Sequence, residues 1–353
     1  MDLLRHAELS RRAVLAAAFV PLVGCARGAA VSGGSGVSAG SGASEGTRAS
    51  AAAPAAPAES AGGDEASPSA TTEPRGPADY RERAERIAGD DPVLLALIAA
   101  FTPGWLPPPA PDPEPTRIFD NVTVVGTDFV SATAVETSDG VILIDALESR
   151  DQAAEILVPE LRALGVDPAR IRYVVVAHGH ADHFGGAQYL ADRYGARVLM
   201  SPADWDLAAA DDSPDVPERD LEISDGQRLA LGGTTMRLPY TPGHTPGTVS
   251  PVFPVWWHGR RHTAMLWGGT GLPEPTSGKR DYLRSVIDYA ALTRRSGVDV
   301  ELNNHAQTDH GLARLRALRD GTAGTKNPFV LGRARAQRFM RVLELLVRDH
   351  LDA

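Results

Sequence analysis

The chain has 353 residues, 43% of them hydrophobic, and a formal net charge of -10. That length holds one large domain or two, and the apolar fraction is that of a globular protein. The acidic balance argues against nucleic acid as a partner, because affinity for phosphate backbones comes mainly from Lys and Arg.

The N-terminus reads as a leader. Ser10-Arg11-Arg12 precedes an apolar run from Ala13 to Gly24, about the length of a signal-peptide core and too short to span a bilayer. The paired arginines look like a twin-arginine export signal, and Leu22-Val23-Gly24-Cys25 looks like a lipobox whose cysteine is lipid-modified. Residues 1–25 are therefore expected to be a signal peptide. The protein is expected to be exported, as a bacterial cell-surface lipoprotein or a secreted protein, touching a membrane only through an N-terminal lipid anchor. Cys25 is the only cysteine, which rules out an internal disulfide or a thiolate metal ligand in the mature fold. Residues 26–78 are almost entirely Gly, Ser, Ala, Thr and Pro. They bury too little apolar surface to offset ordering entropy and read as a disordered tether.

From Asp79 to Phe101 the pattern predicts one or two helices, with Val93, Leu94, Leu97 and Ile98 on an apolar face and Pro92 in a first turn. Pro103 to Pro115 is an irregular proline-rich strap, and its Trp105 is expected on the core. Strands follow over Val122–Val125 and Val130–Val135. After the turn Ser138-Asp139-Gly140 comes a third over Val141–Ile144, which ends at Asp145. Residues 151–164 read as an amphipathic helix stopped by Gly165, with Pro159 working against its regularity.

Ile171 to Ala177 is apolar and β-branched, the pattern of a buried strand. Directly after it stand His178, His180, Asp182 and His183. Neutral imidazoles and a carboxylate are ligands that zinc accepts. One tetrahedral ion cannot easily use all four together with a further histidine, whereas two can. His178 and His180 could hold one ion, and Asp182 and His183 could point to its neighbour. The ligands leave the carboxyl end of a strand, where α/β sheets commonly bind. Gly185-Gly186 and a helix over Ala187–Tyr194 come next.

Arg197–Met200 is another short strand, and 211–220 reads as a surface loop beside the cleft. Asp225-Gly226 and Leu231-Gly232-Gly233 bracket hairpin strands, and Met236–Tyr240 leads into Thr241-Pro242-Gly243-His244-Thr245-Pro246-Gly247. Prolines and glycines there hold His244 in a rigid, tight loop. Val249–Trp257 and Thr263–Trp267 are expected strands joined around a turn that leaves His258 and His262 in solvent, neither assigned to metal. A helix over 280–294, a strand over Val298–Leu302 and then Asn303-Asn304-His305 follow. An amphipathic C-terminal helix carries Phe339, Val342, Leu343 and Leu346.

The His-x-His-x-Asp-His spacing of His178–His183, with Gly140–Asp145 before it and Thr241–Gly247 after it, resembles the metallo-β-lactamase superfamily over roughly residues 117–310. The resemblance implies an α/β fold for residues 79–353: an αββα sandwich of two mixed β-sheets flanked by helices. It implies two zinc ions per chain, one on His178, His180 and His244, the other on Asp182, His183 and His305. His310 is the rival of His305. Asp145 would support the centre from behind its ligands, or else serve as a turn or capping residue. The implied nucleophile is a hydroxide bridging the ions, oriented by Asp182 as the catalytic residue, acting on a small-molecule substrate. Glyoxalase-like and lactonase-like members carry a bridging aspartate after the strand beyond the His244 loop. Here that strand ends Leu266-Trp267-Gly268-Gly269-Thr270-Gly271 and has none. The chain therefore most resembles subclass B3 metallo-β-lactamases, which implies opening of a β-lactam or a similar cyclic amide or ester. A lactonase or esterase, and a non-catalytic zinc-binding surface lipoprotein, are the alternatives. The loop Gly268–Gly278 and the stretch Trp256–His262 depart from the family, and the latter is placed to reshape the cleft.

Overall fold

A computed structural model describes residues 79–353. The leader, Cys25 and the tether over 26–78 lie outside the described residues. The chain after Asp79 runs α1 (Tyr80–Ala88), α2 (Pro92–Ala100), β1 (Thr116–Phe119), β2 (Val122–Gly126), β3 (Ser131–Thr137) and β4 (Gly140–Ile144). Three abutting helical pieces follow, Arg150–Gln152, Ala153–Leu157 and Val158–Ala163, together α3. Then come β5 (Ile171–Val175), α4 (Ala181–Phe184), α5 (Ala187–Tyr194), β6 (Arg197–Met200), α6 (Pro202–Ala209), β7 (Leu221–Glu222), β8 (Gln227–Leu231) and β9 (Thr234–Leu238). The chain closes with β10 (Val252–Trp257), β11 (Arg260–Trp267), α7 (Thr276–Ser296), β12 (Val300–Asn303), α8 (Gly311–Arg319) and α9 (Arg333–Asp352).

One sheet has seven strands in sequence order, antiparallel from β1 to β4 and parallel from β4 to β7. The other has five, ordered β12-β11-β10-β9-β8, with only β11 and β12 parallel. Alternation along single strands shows why they face each other. In β4, Val141 and Leu143 pack with α3 and α5, while Ile142 and Ile144 enter the core between the sheets. A strand buried on both faces must read as a continuous apolar run, and this one does. Beyond the five-stranded sheet, Met265 and Trp267 pack under α1, α2, α7 and α9. The layers are helix, sheet, sheet, helix, as the resemblance implied.

The expected helices are found, with α2 capped by Asp91 and opened by Pro92. The irregularity expected of the helix over 151–164 has a specific form, a π-helical turn at Ala153–Leu157 just before Pro159. Proline removes a donor and crowds the preceding turn, and widening that turn relieves both. The placement of His262 is a correction. The β10–β11 turn is two residues, His258 and Gly259, both with positive φ (49° and 74°), the hairpin geometry that matches strand twist. The strand therefore extends back to Arg260, and His262 is buried within it, Nδ1 2.8 Å from Asp299 Oδ2. Only His258 sits on the exposed turn. That turn lies at the opposite end of β11 from Gly268, so the stretch 256–262 does not shape the histidine-rich end. Trp105 is half-buried in the strap, and 211–220 is an irregular segment as expected. Among the described residues no helix is long and apolar enough to cross a membrane.

Candidate metal centre

All six side chains singled out from the sequence converge where β5, β11 and β12 end. His178 leaves β5, and His180 stands just before α4, whose single turn carries Asp182 and His183. His244 comes from the loop between β9 and β10, and His305 follows β12. His310, the rival, is exposed at the start of α8.

Hydrogen bonding fixes which ring nitrogen faces inward. His178 Nδ1 is 2.7 Å from Gly268 O, His244 Nδ1 2.7 Å from Gly271 O, and His305 Nδ1 2.9 Å from Phe129 O. His183 Nδ1 is 2.8 Å from Asp145 Oδ2. Carbonyls and a carboxylate only accept, so each Nδ1 must donate and each Nε2 of a neutral ring is left as a lone pair. Those lone pairs meet: His178 and His244 Nε2 are 3.1 Å apart, and His183 and His305 Nε2 3.2 Å apart. Asp182 Oδ2 lies 3.2 Å from His183 Nε2 and 3.5 Å from His305 Nε2. Acceptors crowded on acceptors are unfavourable unless a cation lies among them. The spacing suits one, since ligands about 2.0–2.1 Å from a tetrahedral zinc stand about 3.3 Å apart. Ligand atoms of His178, His180 and His244 all lie within 4.8 Å of one another, as do those of His178, Asp182 and His183.

The electrostatics agree with the donor set. Burial, and then the neighbouring imidazoles, hold His178 well below its usual range and push His244 down to about 3. Burial likewise lowers His180 and, with His183 beside it, His305. Burial opposes ionisation of Asp182, but His183 and His305 outweigh it and hold the carboxyl far below the usual range. Burial also opposes a charge on His183, and the carboxylates of Asp182 and Asp145 overcome it, raising the imidazole to about 10. The centre thus holds four histidines kept neutral and Asp182 kept ionised, as metal ligands must be, and in His183 a fifth imidazole that must give up its Nε2 proton for a cation to take its place.

Behind the ligands sits a second layer. Asp145 has a left-handed backbone (φ 60°) that only a locking environment sustains. Its Oδ1 accepts from Ala177 N at 2.7 Å, while Oδ2 meets His183 and accepts from Asn304 Nδ2 at 3.1 Å. Carboxylates so placed fix a ligating imidazole's tautomer and orientation. Asp204, which the sequence reading did not single out, clasps the two histidine loops together. It accepts from Gly179 N at 2.9 Å, Thr245 Oγ1 at 2.6 Å and Gly247 N at 2.8 Å. The approach is so close that a Cβ on Gly247 would fall 1.9 Å from Ser201 Oγ. A sequence signal for Asp204 existed: Ser201-Pro202-Ala203-Asp204 is a helix-start pattern, and Ser201 caps α6 at Asp204 N.

The model of the metallo-beta-lactamase superfamily matches residues 125–255. A hydroxyacylglutathione hydrolase of Anaeromyxobacter dehalogenans is 38% identical over 111 residues, 31% of this chain and 37% of that protein. One from Pseudomonas aeruginosa is 35% identical over 147 residues, 42% of this chain and 51% of that protein. The chain thus spans about a third to a half of the length of these curated relatives. Among solved structures, the native FEZ-1 metallo-beta-lactamase of Legionella gormanii superposes with a TM-score of 0.56 at 24% identity, covering 66% of this chain and 94% of that one. A Cronobacter sakazakii metallo-beta-lactamase superposes with a TM-score of 0.56 at 28% identity, covering 66% and 92%. The subclass B3 enzyme BJP-1 of Bradyrhizobium japonicum gives 0.56 at 24% identity, covering 67% and 92%. Motif, fold and centre agree: residues 125–255 match the metallo-β-lactamase superfamily, and the chain has the fold of its subclass B3 structures.

Proposed function

We propose that this protein is a dizinc hydrolase that opens a β-lactam ring or a similar cyclic amide or ester. The observation that carries the reading is the convergence of inward-facing Nε2 atoms, paired at 3.1 and 3.2 Å. His178, His180 and His244 would hold one ion, and Asp182, His183 and His305 the other. When bound, zinc supplies Lewis-acid polarisation of a carbonyl and lowers the pKa of water to about 7. The chain's own part is preorganisation. Gly268, Gly271 and Phe129 carbonyls and the Asp145 carboxylate lock the four rings before substrate arrives. Asp182 stays ionised, so it accepts a hydrogen bond from the attacking water and orients it.

A second reading is thioester hydrolysis, favoured by the hydroxyacylglutathione hydrolases among the sequence relatives. The end of β11 argues against it. A Cβ on Gly269 would lie 2.6 Å from His244 Cβ, leaving no room on this backbone for the aspartate that glyoxalase-like members carry there. The deciding experiment loads the purified protein with zinc, counts bound metal, and assays a penicillin, a carbapenem, a lactone panel and a glutathione thioester. Two zincs with lactam turnover support the proposal. Turnover of the thioester alone favours the second reading, and two zincs with no turnover point to a metal-binding lipoprotein.

Export belongs to the same proposal. A leader ending at Cys25, a tether and a catalytic domain over 79–353 would carry the enzyme outside the cytoplasm, where drugs arrive. Mass spectrometry finding an uncleaved, unmodified N-terminus on the native protein would refute that part alone.

A further inference from the structure

At the other end of the five-stranded sheet lies a concavity of about 390 Å³ that the hydrolase chemistry does not use. Its floor is the outer sheet face beyond the cover of α7 and α9, with the hydroxyls of Thr235 and Thr263 and, at the end of α7, Ser296. Its charged lining is Arg228, Arg237 and Arg261, with no carboxylate among the lining residues. The chain has 45 acidic against 35 basic residues, so an all-cationic hollow runs against its composition. Among the described residues none of the three arginines makes an ion pair, although other exposed arginines do, such as Arg197 and Arg219. Carboxylates near β11 are already engaged: Asp120 accepts from His258 N at 3.1 Å and Gly259 N at 2.8 Å, and a second lies beside Thr263. It is Asp299, whose oxygens are taken by Thr263 N at 3.0 Å and His262 Nδ1 at 2.8 Å.

Register sharpens the point. Arg228 and Arg237 stand directly opposite each other on β8 and β9. Like charges in directly opposed positions destabilise a sheet. A cost of this kind is removed by an anion that bridges the two guanidiniums, whose planar forks suit oxyanions in particular. The hydroxyls of Thr235, Thr263 and Ser296 in the lining would be available to the oxygens that remain. The hollow is also remote from the histidines. Arg261 precedes Gly268 by seven residues on β11 (268 − 261), about 23 Å at about 3.3 Å per residue.

We propose that Arg228, Arg237 and Arg261 form a binding site for a small soluble oxyanion, a phosphate or sulfate group or a monoester bearing one. A hollow of about 390 Å³ has room for one such group. The site is independent of what the histidine centre hydrolyses.

The test titrates the full-length, zinc-loaded protein with inorganic phosphate by calorimetry, beside Arg237→Gln and Arg261→Gln. The proposal expects a binding event that weakens at least tenfold in each variant and falls with added sodium chloride. Metal content stays unchanged. Any heat that persists in both variants belongs to phosphate at the histidine centre. A second readout keeps folding defects apart. Without phosphate, Arg237→Gln should melt no lower than the parent, because it removes an opposed like charge, and phosphate should raise the melting point of the parent only. Equal phosphate binding by parent and both variants would overturn the proposal. So would co-sedimentation with phosphatidic acid vesicles, lost in the variants, in the absence of any effect of free phosphate.

Discussion

Two buried polar centres flank the loop that carries His305, and they are built on opposite principles. On one side the histidines turn their Nε2 atoms to one another, 3.1 and 3.2 Å apart, with their Nδ1 protons spent outward. On the other, Arg314 is sealed between Glu301 and Asp309. It donates to Glu301 Oε2 at 2.8 Å, pairs with Asp309, and lies over the Phe329 ring at 4.5 Å. These three are 4%, 0% and 1% exposed. Burial, with Asp309 adding to it, pushes the Glu301 carboxyl above its usual range. The first centre is complete only when something arrives from outside. The second pairs its charges within the chain, although Glu301 Oε1 and Arg314 Nε find no hydrogen-bond partner, and it closes the loop, tying the strand it leaves to the helix it enters. Burial alone therefore does not mark a site; several ligand atoms converging on one point do.

The largest expected effect breaks the open centre. On the proposed assignment, Asp182→Ala removes a ligand and an orienting carboxylate together. Turnover should fall by roughly 10²–10⁴, and bound zinc, counted by atomic absorption, should drop from two to one. Wild-type turnover in this variant would contradict the assignment of the second ion.

Breaking the closed centre should leave the chemistry and lose the fold. Arg314→Met strands two buried carboxylates, and removing one partner of such a pair costs about 3–5 kcal/mol. Urea unfolding should show the loss. A stability within about 0.5 kcal/mol of the parent would mean the cluster does not hold the loop.

How much of this could be read in advance follows the same division. Four of the candidate ligands lie within six residues directly after a strand, so residue type and spacing exposed His178, His180, Asp182 and His183 without reference to anything distant. His305 over His310 followed from its place at a strand end. Two-sided burial of Val141–Ile144 showed in an unbroken apolar run. The matched cluster was invisible, because Glu301 sits in a run that reads simply as strand and its partner Arg314 lies thirteen residues on. Asp204 was missed because the helix it opens was missed, although Ser201 and Pro202 announced it. His262 was misplaced because a five-residue turn was assumed where two residues with positive φ suffice. β1 and α8 were also missed; both are short and take their stability from packing, not from local pattern.

A smaller change tests whether the open centre depends on the clasp behind it. Asp204→Asn keeps size but offers one acceptor oxygen where Gly179 N, Gly247 N and Thr245 Oγ1 all donate. An unmet buried donor costs about 1–3 kcal/mol, and outer contacts of this kind shift metal affinity by about 10–100-fold. Zinc titration should show weaker binding at the trio His178, His180 and His244, whose loops Asp204 joins, with the other ion less affected. Equal weakening of both ions would make the clasp a general support and not a local one.

The smallest effect lies away from both centres and provides a pH baseline for them. Glu160 on α3 accepts from Gly126 N at 2.8 Å, yet burial, reinforced by Asp112 and Glu114, raises its carboxyl to about 7. The folded state then binds this proton more tightly than the unfolded chain, whose glutamate titrates near 4.3. Its contribution is present below that pH and is lost as pH rises toward 7. Allowing for its partial exposure, the swing is about 1–2 kcal/mol. Glu160→Gln should flatten that stretch of the stability–pH curve, measured by urea unfolding between pH 4.5 and 7.5. The zinc content at pH 7.5 should not move, since neither metal loop touches this side chain. An unflattened curve would assign the slope to the histidines, whose neutral forms make stability rise with pH over the same interval. The sign of the slope distinguishes the two regions.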